Sequence, residues 1–406
     1  MYARTLTYTA RKINGSFKVL MITGPRQVGK TTLLRDLVDG ERNYVTLDDL
    51  NARTVAQQDP GLFIQQYQPP VTIDEVQYAP NIFSSIKIAV DRAQQNGMYW
   101  LTGSQKYHLM KGITESLAGR VAIVDLLGLS LAELEGRAEH SIPFMPTPEW
   151  LAHAEKYAKR PKGLKEIYQQ IWRGSFPEVN LPGVDRNIFY RSYVQTYVQR
   201  DVQDILKITD ATQFNNFLIA VAARTGQLLN YSDLARDVGI DNKTAKAWLS
   251  VLETSGLVYL LHPYFNNVGK RMVKAPKLYF LDTGLCTYLT QWPDAAALES
   301  SAMAGAILET FIFTEILKSY WHNGVMPRFY YYRDVDQQEV DLLIDTADTI
   351  YPVEFKKTAT PSLTASKHFK ALEKFGKKIG HGMVICFVEK PVMLSREVTA
   401  IPVGIL

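Results

Sequence analysis

Gly24-Pro25-Arg26-Gln27-Val28-Gly29-Lys30-Thr31 follows directly on the apolar run Val19-Leu20-Met21-Ile22 and leads into the helical pattern Thr32-Leu33-Leu34-Arg35-Asp36-Leu37. A buried strand, a glycine-bounded turn ending in Lys-Thr and a helix, in that order, make a phosphate cradle. The glycines let backbone N–H groups fold round an anion, and the helix N-terminus adds its positive end. Gly24, Pro25, Arg26, Gln27, Val28, Gly29, Lys30, Thr31 and Thr32 are therefore the candidate nucleotide-binding residues. Lys30 is placed to reach the β- and γ-phosphates, and the Thr31 hydroxyl to ligand Mg²⁺.

Outward from the loop, residues 1–140 alternate short apolar strands (19–23, 44–47, 71–74, 99–102 and 121–126) with helical stretches such as 31–38 and 81–95. Such alternation predicts an α/β unit, a parallel sheet covered on both faces. The strand Val71-Thr72-Ile73 ends in Asp74-Glu75, 44 residues after Lys30. Asp74 then lies at the strand's carboxyl end as the second Mg²⁺ group, and Glu75 can polarise an attacking water. A further strand ends in Thr102-Gly103-Ser104. Its tip predicts a hydroxyl between water and γ-phosphate: Ser104 first, Thr102 next.

These strands, together with Leu117-Ala118-Gly119-Arg120 and Leu126-Leu127-Gly128-Leu129-Ser130-Leu131-Ala132-Glu133-Leu134, resemble the AAA-type ATPases. The likeness is closest to a bacterial and archaeal group whose C-terminal half is a domain of unknown function, and it covers nearly the whole chain. The resemblance implies a five-stranded P-loop core, ATP as ligand, and Arg120 as arginine finger or sensor. It also implies a homo-oligomer, since such sites are usually completed by a neighbouring subunit. A structural role for Arg120, paired with a nearby carboxylate, stays open.

Composition sets bounds on the rest. The 406 residues are 46% hydrophobic and 21% charged, a globular balance that allows two to four domains, each with its own core. Two cysteines, Cys286 and Cys386, supply neither a disulfide framework nor a cysteine zinc site. No run is long and apolar enough for a bilayer span, and the N-terminus has no signal-peptide pattern, so the expected location is cytoplasmic, with no membrane partner. The segment 140–148, with three prolines, reads as a linker.

Net charge is +4 but uneven: residues 156–275 hold 17 Lys+Arg against 10 Asp+Glu, the remainder 28 against 31. A basic middle favours an anionic partner, most often nucleic acid. Within this largely helical region, 150–275, residues 228–241 begin a helix-turn-helix pattern: Ser232 as first cap, Gly239 at the turn, Asp241 as second cap. The second helix turns Ala245, Leu249 and Leu252 inward, with Lys243, Lys246 and Trp248 pointing elsewhere. With strands at 257–261 and 278–280 and Asn266-Asn267 between them, the pattern resembles a winged helix. Lys243, Lys246, Lys270 and Arg271 are the candidate DNA contacts, with Lys274 nearby; a protein-docking role remains the alternative.

Residues 276–406 mix strands and helices. Glu339-Val340-Asp341-Leu342-Leu343-Ile344 and Tyr351-Pro352-Val353-Glu354-Phe355-Lys356 read as two paired strands, with Asp341 and Glu354 13 residues apart. Alternation puts Glu354 and Lys356 on one face, and Glu309 on an upstream helix joins the group. Asp, then Glu-x-Lys, resembles the restriction-endonuclease-like core. That resemblance implies Mg²⁺ on Asp341, Glu354 and Glu309, and Lys356 polarising a water. Together these features predict an ATP-binding and ATP-hydrolysing protein with a DNA-directed, nuclease-like C-terminal half. The other reading is a nucleotide switch whose C-terminal half is a non-catalytic module for another protein.

Overall fold

A computed structural model describes residues 2–38, 40–104, 116–158, 160–196, 210–265, 274–334 and 336–406. Five parallel strands form the first sheet: β1 (Val19–Thr23), β2 (Asn43–Thr46), β3 (Val71–Asp74), β4 (Tyr99–Gly103) and β5 (Val121–Asp125), in spatial order β2-β3-β4-β1-β5. β1, β3 and β4 are buried along their whole length. A parallel sheet with helices on both faces demands this, and it is why these strands read as continuous apolar runs rather than alternating ones. The strand reading 121–126 ends one residue late, and the helix expected over 81–95 spans Ile82–Arg92.

In the middle, the helices Ala211–Ala222, Tyr231–Val238 and Asn242–Thr254 stand with a small sheet of β6 (Gln227–Leu228), β7 (Val258–Leu261) and β8 (Lys277–Phe280), in order β6-β8-β7. β7 and β8 are antiparallel, with Val258 opposite Phe280. Gly239, at φ 74°, makes the turn between the second and third helices, a conformation that favours glycine. Asp241 caps the third helix, its carboxylate accepting from the Lys243 and Thr244 amides. The first cap is Asn230, not Ser232: the Asn230 side chain accepts from the Ser232 and Asp233 amides. An Asn just ahead of the first turn is as good a cap as Ser, so the helix begins at Tyr231.

The C-terminal sheet contains β9 (Phe329–Arg333), β10 (Glu339–Asp345), β11 (Thr349–Phe355), β12 (Lys378–Ile379), β13 (Gly382–Cys386), β14 (Val392–Ser395) and β15 (Val398–Pro402). β10 pairs antiparallel with β9 and β11, whereas β11 and β13 run parallel. A helix, Ala304–Trp321, precedes it and is buried nearly all round, which fits an interior helix rather than a surface one.

The three regions do not keep separate cores. One apolar cluster runs from Leu6, Leu20 and Ile22 through Phe217, Leu249 and Leu278 to Phe313, Leu342 and Ile401. The opposite face of the first sheet packs a second cluster, around Phe63, Ile73 and Leu101, and the far face of the C-terminal sheet a third, around Val340, Phe369 and Val384. Nor is 140–148 a free linker. Phe144 is buried, its amide donates to Ser319 Oγ at 2.9 Å and its carbonyl accepts from the Tyr320 hydroxyl at 2.7 Å. Both cysteines are free and buried. Among the described residues no helix is long and apolar enough to cross a membrane.

Candidate functional site

The phosphate loop leaves β1 at Gly24, whose φ of 143° and position leave no room for a side chain: a Cβ there would lie 2.0 Å from the Leu126 carbonyl oxygen. Gly29, at φ 91°, turns the chain into the helix Lys30–Leu37. Lys30 is buried and donates to the carbonyls of Gly24 (3.0 Å) and Pro25 (2.7 Å). Burial pulls its pKa down to about 8, against the opposing pull of Glu75 and Asp74. Arg26 donates to the Tyr78 hydroxyl (3.1 Å), Val28 is buried and Thr32 is exposed on the first helical turn.

Asp74 ends β3 beside the loop and gathers three hydroxyls. Thr31 Oγ1 lies 2.9 and 3.1 Å from its two oxygens, the Tyr44 hydroxyl is at 2.9 Å, and Thr102 Oγ1 donates to Oδ1. A buried carboxylate and a threonine hydroxyl at a helix N-terminus are the oxygen donors Mg²⁺ uses beside phosphate, so these residues fit the ion. Burial, then Asp74, raises the Tyr44 hydroxyl above its usual pKa.

Glu75 adopts the left-handed conformation, φ 57°, as the chain leaves the sheet. Its amide donates to Thr102 Oγ1 at 3.1 Å. Gln77 Nε2 donates to Glu75 Oε2 and, at 3.3 Å, to Ser104 Oγ, which itself lies 3.5 Å from Glu75 Oε2. Thr102 thus serves Asp74, and Ser104 serves Glu75. Arg120 stands elsewhere. It precedes β5, where Val121 is level with Val19, placing it at the sheet edge opposite the loop. There it forms a two-point, exposed ion pair with Asp91, at 2.5 and 3.1 Å.

Behind the loop lies a buried polar link. Arg4 donates to the Val28 carbonyl (2.7 Å), the Leu127 carbonyl (2.7 Å) and Glu133 Oε1 (3.1 Å). Glu133 also accepts from the Thr5 and Ser130 amides, and His322 Nδ1 is 3.3 Å from it. Because His322 Nε2 accepts from the Leu127 amide at 3.2 Å, the ring proton is assigned to Nδ1, facing Glu133. Burial opposes charge on Glu133, but Arg4 and His322 outweigh it and hold its pKa far below the usual range. Burial also lowers His322. Glu315 and Lys318 tie the same long helix to the Leu131 amide and the Leu129 carbonyl.

In the middle region Lys243 and Lys246 are exposed, as expected. Trp248 is not: it is buried, edge-on to Phe214 at 5.3 Å and Phe217 at 5.2 Å, because the inward stripe of this helix is one residue wider than Ala245, Leu249 and Leu252. Lys270, Arg271, Asn266 and Asn267 lie outside the described residues.

The C-terminal acids do converge, but on a lysine. Leu342 pairs with Val353, so one step along Asp341 stands level with Glu354, and Asp341 Oδ2 accepts from the Phe355 amide at 2.8 Å. Lys356 Nζ is 2.5 Å from Glu354 Oε1. Lys277, the first residue of β8 and only 3% exposed, reaches Glu309 Oε1 at 2.9 Å, Glu339 Oε1 at 2.5 Å and Asp341 Oδ1 at 3.5 Å. The Tyr279 hydroxyl donates to the same Glu309 oxygen at 2.7 Å. Burial works against charge on Lys277, yet Tyr279, Glu309, Asp341 and Glu339 keep its pKa well above the ordinary value. Burial pushes Glu309 up to about 7, and burial with Asp341 raises Glu354 well above the carboxylate range. Among the described residues no group of three or more acidic, His or Cys side chains is arranged to hold a metal, and the three acids expected to carry Mg²⁺ are engaged otherwise: Glu309 by Lys277 and Tyr279, Asp341 by the Phe355 amide, Glu354 by Lys356. A cavity of about 410 Å³ lined by Arg186, Arg191 and Trp292 lies apart from both sites, while one of about 370 Å³ opens over Glu354, Lys356, Lys367 and His368.

Sequence reading missed Gln77, Tyr44, Arg4, Lys277 and Glu339. Glu339 and Lys277 did leave a signal, since period-2 alternation puts Glu339 on the face of Asp341, and Lys277 on the face of Tyr279. Arg4 left none.

Three family models match along the chain: the AAA domain over 16–135, a domain of unknown function (DUF8612) over 164–296 and another (DUF4143) over 304–406. Over 351 residues the chain is 30% identical to Uncharacterized protein Rv2008c of Mycobacterium tuberculosis and equally to Uncharacterized protein Mb2031c of Mycobacterium bovis. The match takes in 86% of this chain and 72% of each relative. The chain belongs to their family. In this family member the first sheet with its loop is an AAA-type P-loop nucleotide-binding domain. Among solved structures, the Walker-type ATPase PABY2304 of Pyrococcus abyssi is 14% identical, with a TM-score of 0.39 over 70% of this chain and 94% of that one. AMPPCP-bound DnaA from Aquifex aeolicus is 14% identical, with a TM-score of 0.26 over 61% and 85%.

Proposed function

We propose that the chain is an ATPase working as a nucleotide-controlled switch, its output delivered by the middle and C-terminal regions to another macromolecule. The observation that supports this reading is Arg4. One side chain holds the Val28 carbonyl inside the phosphate loop and, through Glu133, meets His322 at the end of the helix Ala304–Trp321, whose other end carries Glu309. At 18 residues that helix is about 27 Å long. A shift of the loop around phosphate is thereby handed to a rigid, buried rod.

At the nucleotide, Lys30 exchanges its two carbonyl partners for phosphate oxygens. Thr31 and Asp74 would hold Mg²⁺, which supplies charge neutralisation at the phosphates. Glu75 takes a proton from the attacking water, with Gln77 and Ser104 fixing its carboxylate. Arg120 faces away from its own loop, so any finger role is in a neighbouring subunit of a homo-oligomer, and it requires release from Asp91. The buried thiols suit a reducing, cytoplasmic compartment. The boundaries we propose are 1–140, 150–280 and 281–406, the expected break at 275 being moved so that β8 stays with β6 and β7.

The test is melting of the full chain with ATP and Mg²⁺, together with hydrogen exchange along residues 304–321. ATP should raise the melting temperature and slow exchange in the helix, and Lys30→Ala should remove both effects. A rise in melting temperature with no change in the helix would leave an ATPase without this switch.

A second reading, DNA as partner, is favoured by the exposed Lys243 and Lys246 on a third helix set in the element order of a winged helix. Duplex titration at low and moderate salt checks it. Lys243→Glu with Lys246→Glu should weaken binding and flatten its salt dependence, and absence of binding at low salt would assign the partner to protein.

A further inference from the structure

The acids that a nuclease-like core would give to a divalent ion already surround a cation of this chain's own. Mg²⁺ requires oxygen ligands at roughly 2.0–2.1 Å in octahedral array. Here Glu309 Oε1 is taken by Lys277 and Tyr279, Asp341 Oδ2 by the Phe355 amide, and Glu354 Oε1 by Lys356. Glu339 divides its oxygens between Lys277 and, at 3.4 Å, Arg333. Glu354 Oε2 is left over, buried and without a hydrogen-bond partner among the described residues, and the ties that hold Glu309 fall on its Oε1 alone. With Lys277 already at ion-pair distance from Glu309 and Asp341, a divalent ion would set a second cation beside the same acids. The residues present do not fit a metal.

We propose that Lys277 is the resident cation of this cluster, and that the cluster is a lock between the middle and C-terminal sheets rather than a metal centre. The lysine comes from β8 of the small sheet. Its acids come from the long helix and from β10 of the C-terminal sheet. Strand alternation aims Lys277 and Tyr279 together at Glu309, so the arrangement is built into β8. A second tie lies beside it. The Tyr264 amide donates to the Tyr331 carbonyl at 2.7 Å, the Tyr331 amide to the His262 carbonyl at 3.1 Å, and the Tyr331 hydroxyl to the Ala275 carbonyl at 2.5 Å. Backbone pairing sets the register of the two sheets, and the ammonium neutralises the acids that would otherwise repel across the joint. Lysine and a divalent ion exclude each other here, because the ion would need Glu309 and Asp341, the two carboxylates that Lys277 already holds at ion-pair distance.

The lock is independent of the nucleotide site, and its test is run without nucleotide. Mn²⁺ is titrated by calorimetry and electron paramagnetic resonance into the full chain, into Asp341→Asn, into Lys277→Met, and into Lys277→Met with Asp341→Asn. The wild-type chain should show no Mn²⁺ site that Asp341→Asn removes, even at hundreds of micromolar Mn²⁺. Lys277→Met should melt several degrees lower and gain one Mn²⁺ per chain, lost again in the double variant. An Asp341-dependent Mn²⁺ site in the wild-type chain overturns the proposal, and so does a Lys277→Met chain with wild-type melting. Should Lys277→Met fail to fold, the wild-type and Asp341→Asn titrations still decide. The ATP-dependent rise in melting temperature, which needs Lys30 and not Lys277, is recorded in parallel, so failure of the switch reading is seen separately.

Discussion

Gly256 lies against Pro25: a Cβ on Gly256 would stand 3.0 Å from the Pro25 Cγ and 3.1 Å from its Cδ. The turn after the helix Asn242–Thr254 therefore rests directly on the phosphate loop. Gly256→Ala, at φ 71°, should cost about 1–2 kcal/mol from backbone conformation alone. The contact adds a push on the loop, so the ATP-dependent rise in melting temperature should shrink. Gly136→Ala is the control, since Gly136 has φ 73° with nothing within 4 Å. Equal ATP responses in the two variants would sink the coupling.

Lys30 gives a pH signature. Its folded-state pKa of about 8 lies below the ordinary 10.5, so between these values the folded chain has released a proton that the unfolded chain keeps. Stability without nucleotide thus gains from rising pH in that window, and phosphate binding, which needs the ammonium, loses. ATP affinity should fall above pH 8, and binding there should take up a proton. Calorimetry at pH 8.5 in two buffers of different ionisation enthalpy reads this, and equal heats would contradict it.

Glu75→Gln should retain ATP binding while turnover drops by roughly 10²–10⁴-fold. Gln77→Ala should lower kcat more than it raises KM, because Gln77 steadies Glu75 without reaching the nucleotide. A change confined to KM would move Gln77 to ground-state binding.

Removing Arg4 leaves Glu133 buried and charged with one cation fewer. Arg4→Met should destabilise the chain by about 3–5 kcal/mol, the range for a broken buried ion pair. Glu133→Gln in the same background should recover part of that loss. Urea unfolding of the wild-type chain and the two variants settles the point, and a loss under 1 kcal/mol would show that the link carries little.

Much of the first sheet was legible because its determinants are local. β1 and β3 fall where the apolar runs place them, and the loop motif ties glycine positions to backbone shape within eight residues. Asp341, Glu354 and Lys356 were legible as a group for the same reason, sitting on adjacent strands with a short turn between. What the group binds was not. Lys277 is 64 residues from Asp341, and nothing in its own neighbourhood announces that partner. Arg4 is likewise 129 residues from Glu133. Trp248 was misplaced because an aromatic at a helix flank reads as exposed until Phe214 and Phe217 arrive from another helix.

The shared core has a consequence for the newborn chain. Leu20 and Ile22 of β1 belong to the same apolar cluster as Phe313 and Ile316, and Glu133 waits for His322. At roughly 5–20 residues per second, synthesis delivers that helix some tens of seconds after the first strand. Through that interval the helices Leu6–Ser16 and Lys30–Leu37 shield part of this flank, and the groups that wait for the long helix, such as the Leu127 and Leu131 amides, stay open to water.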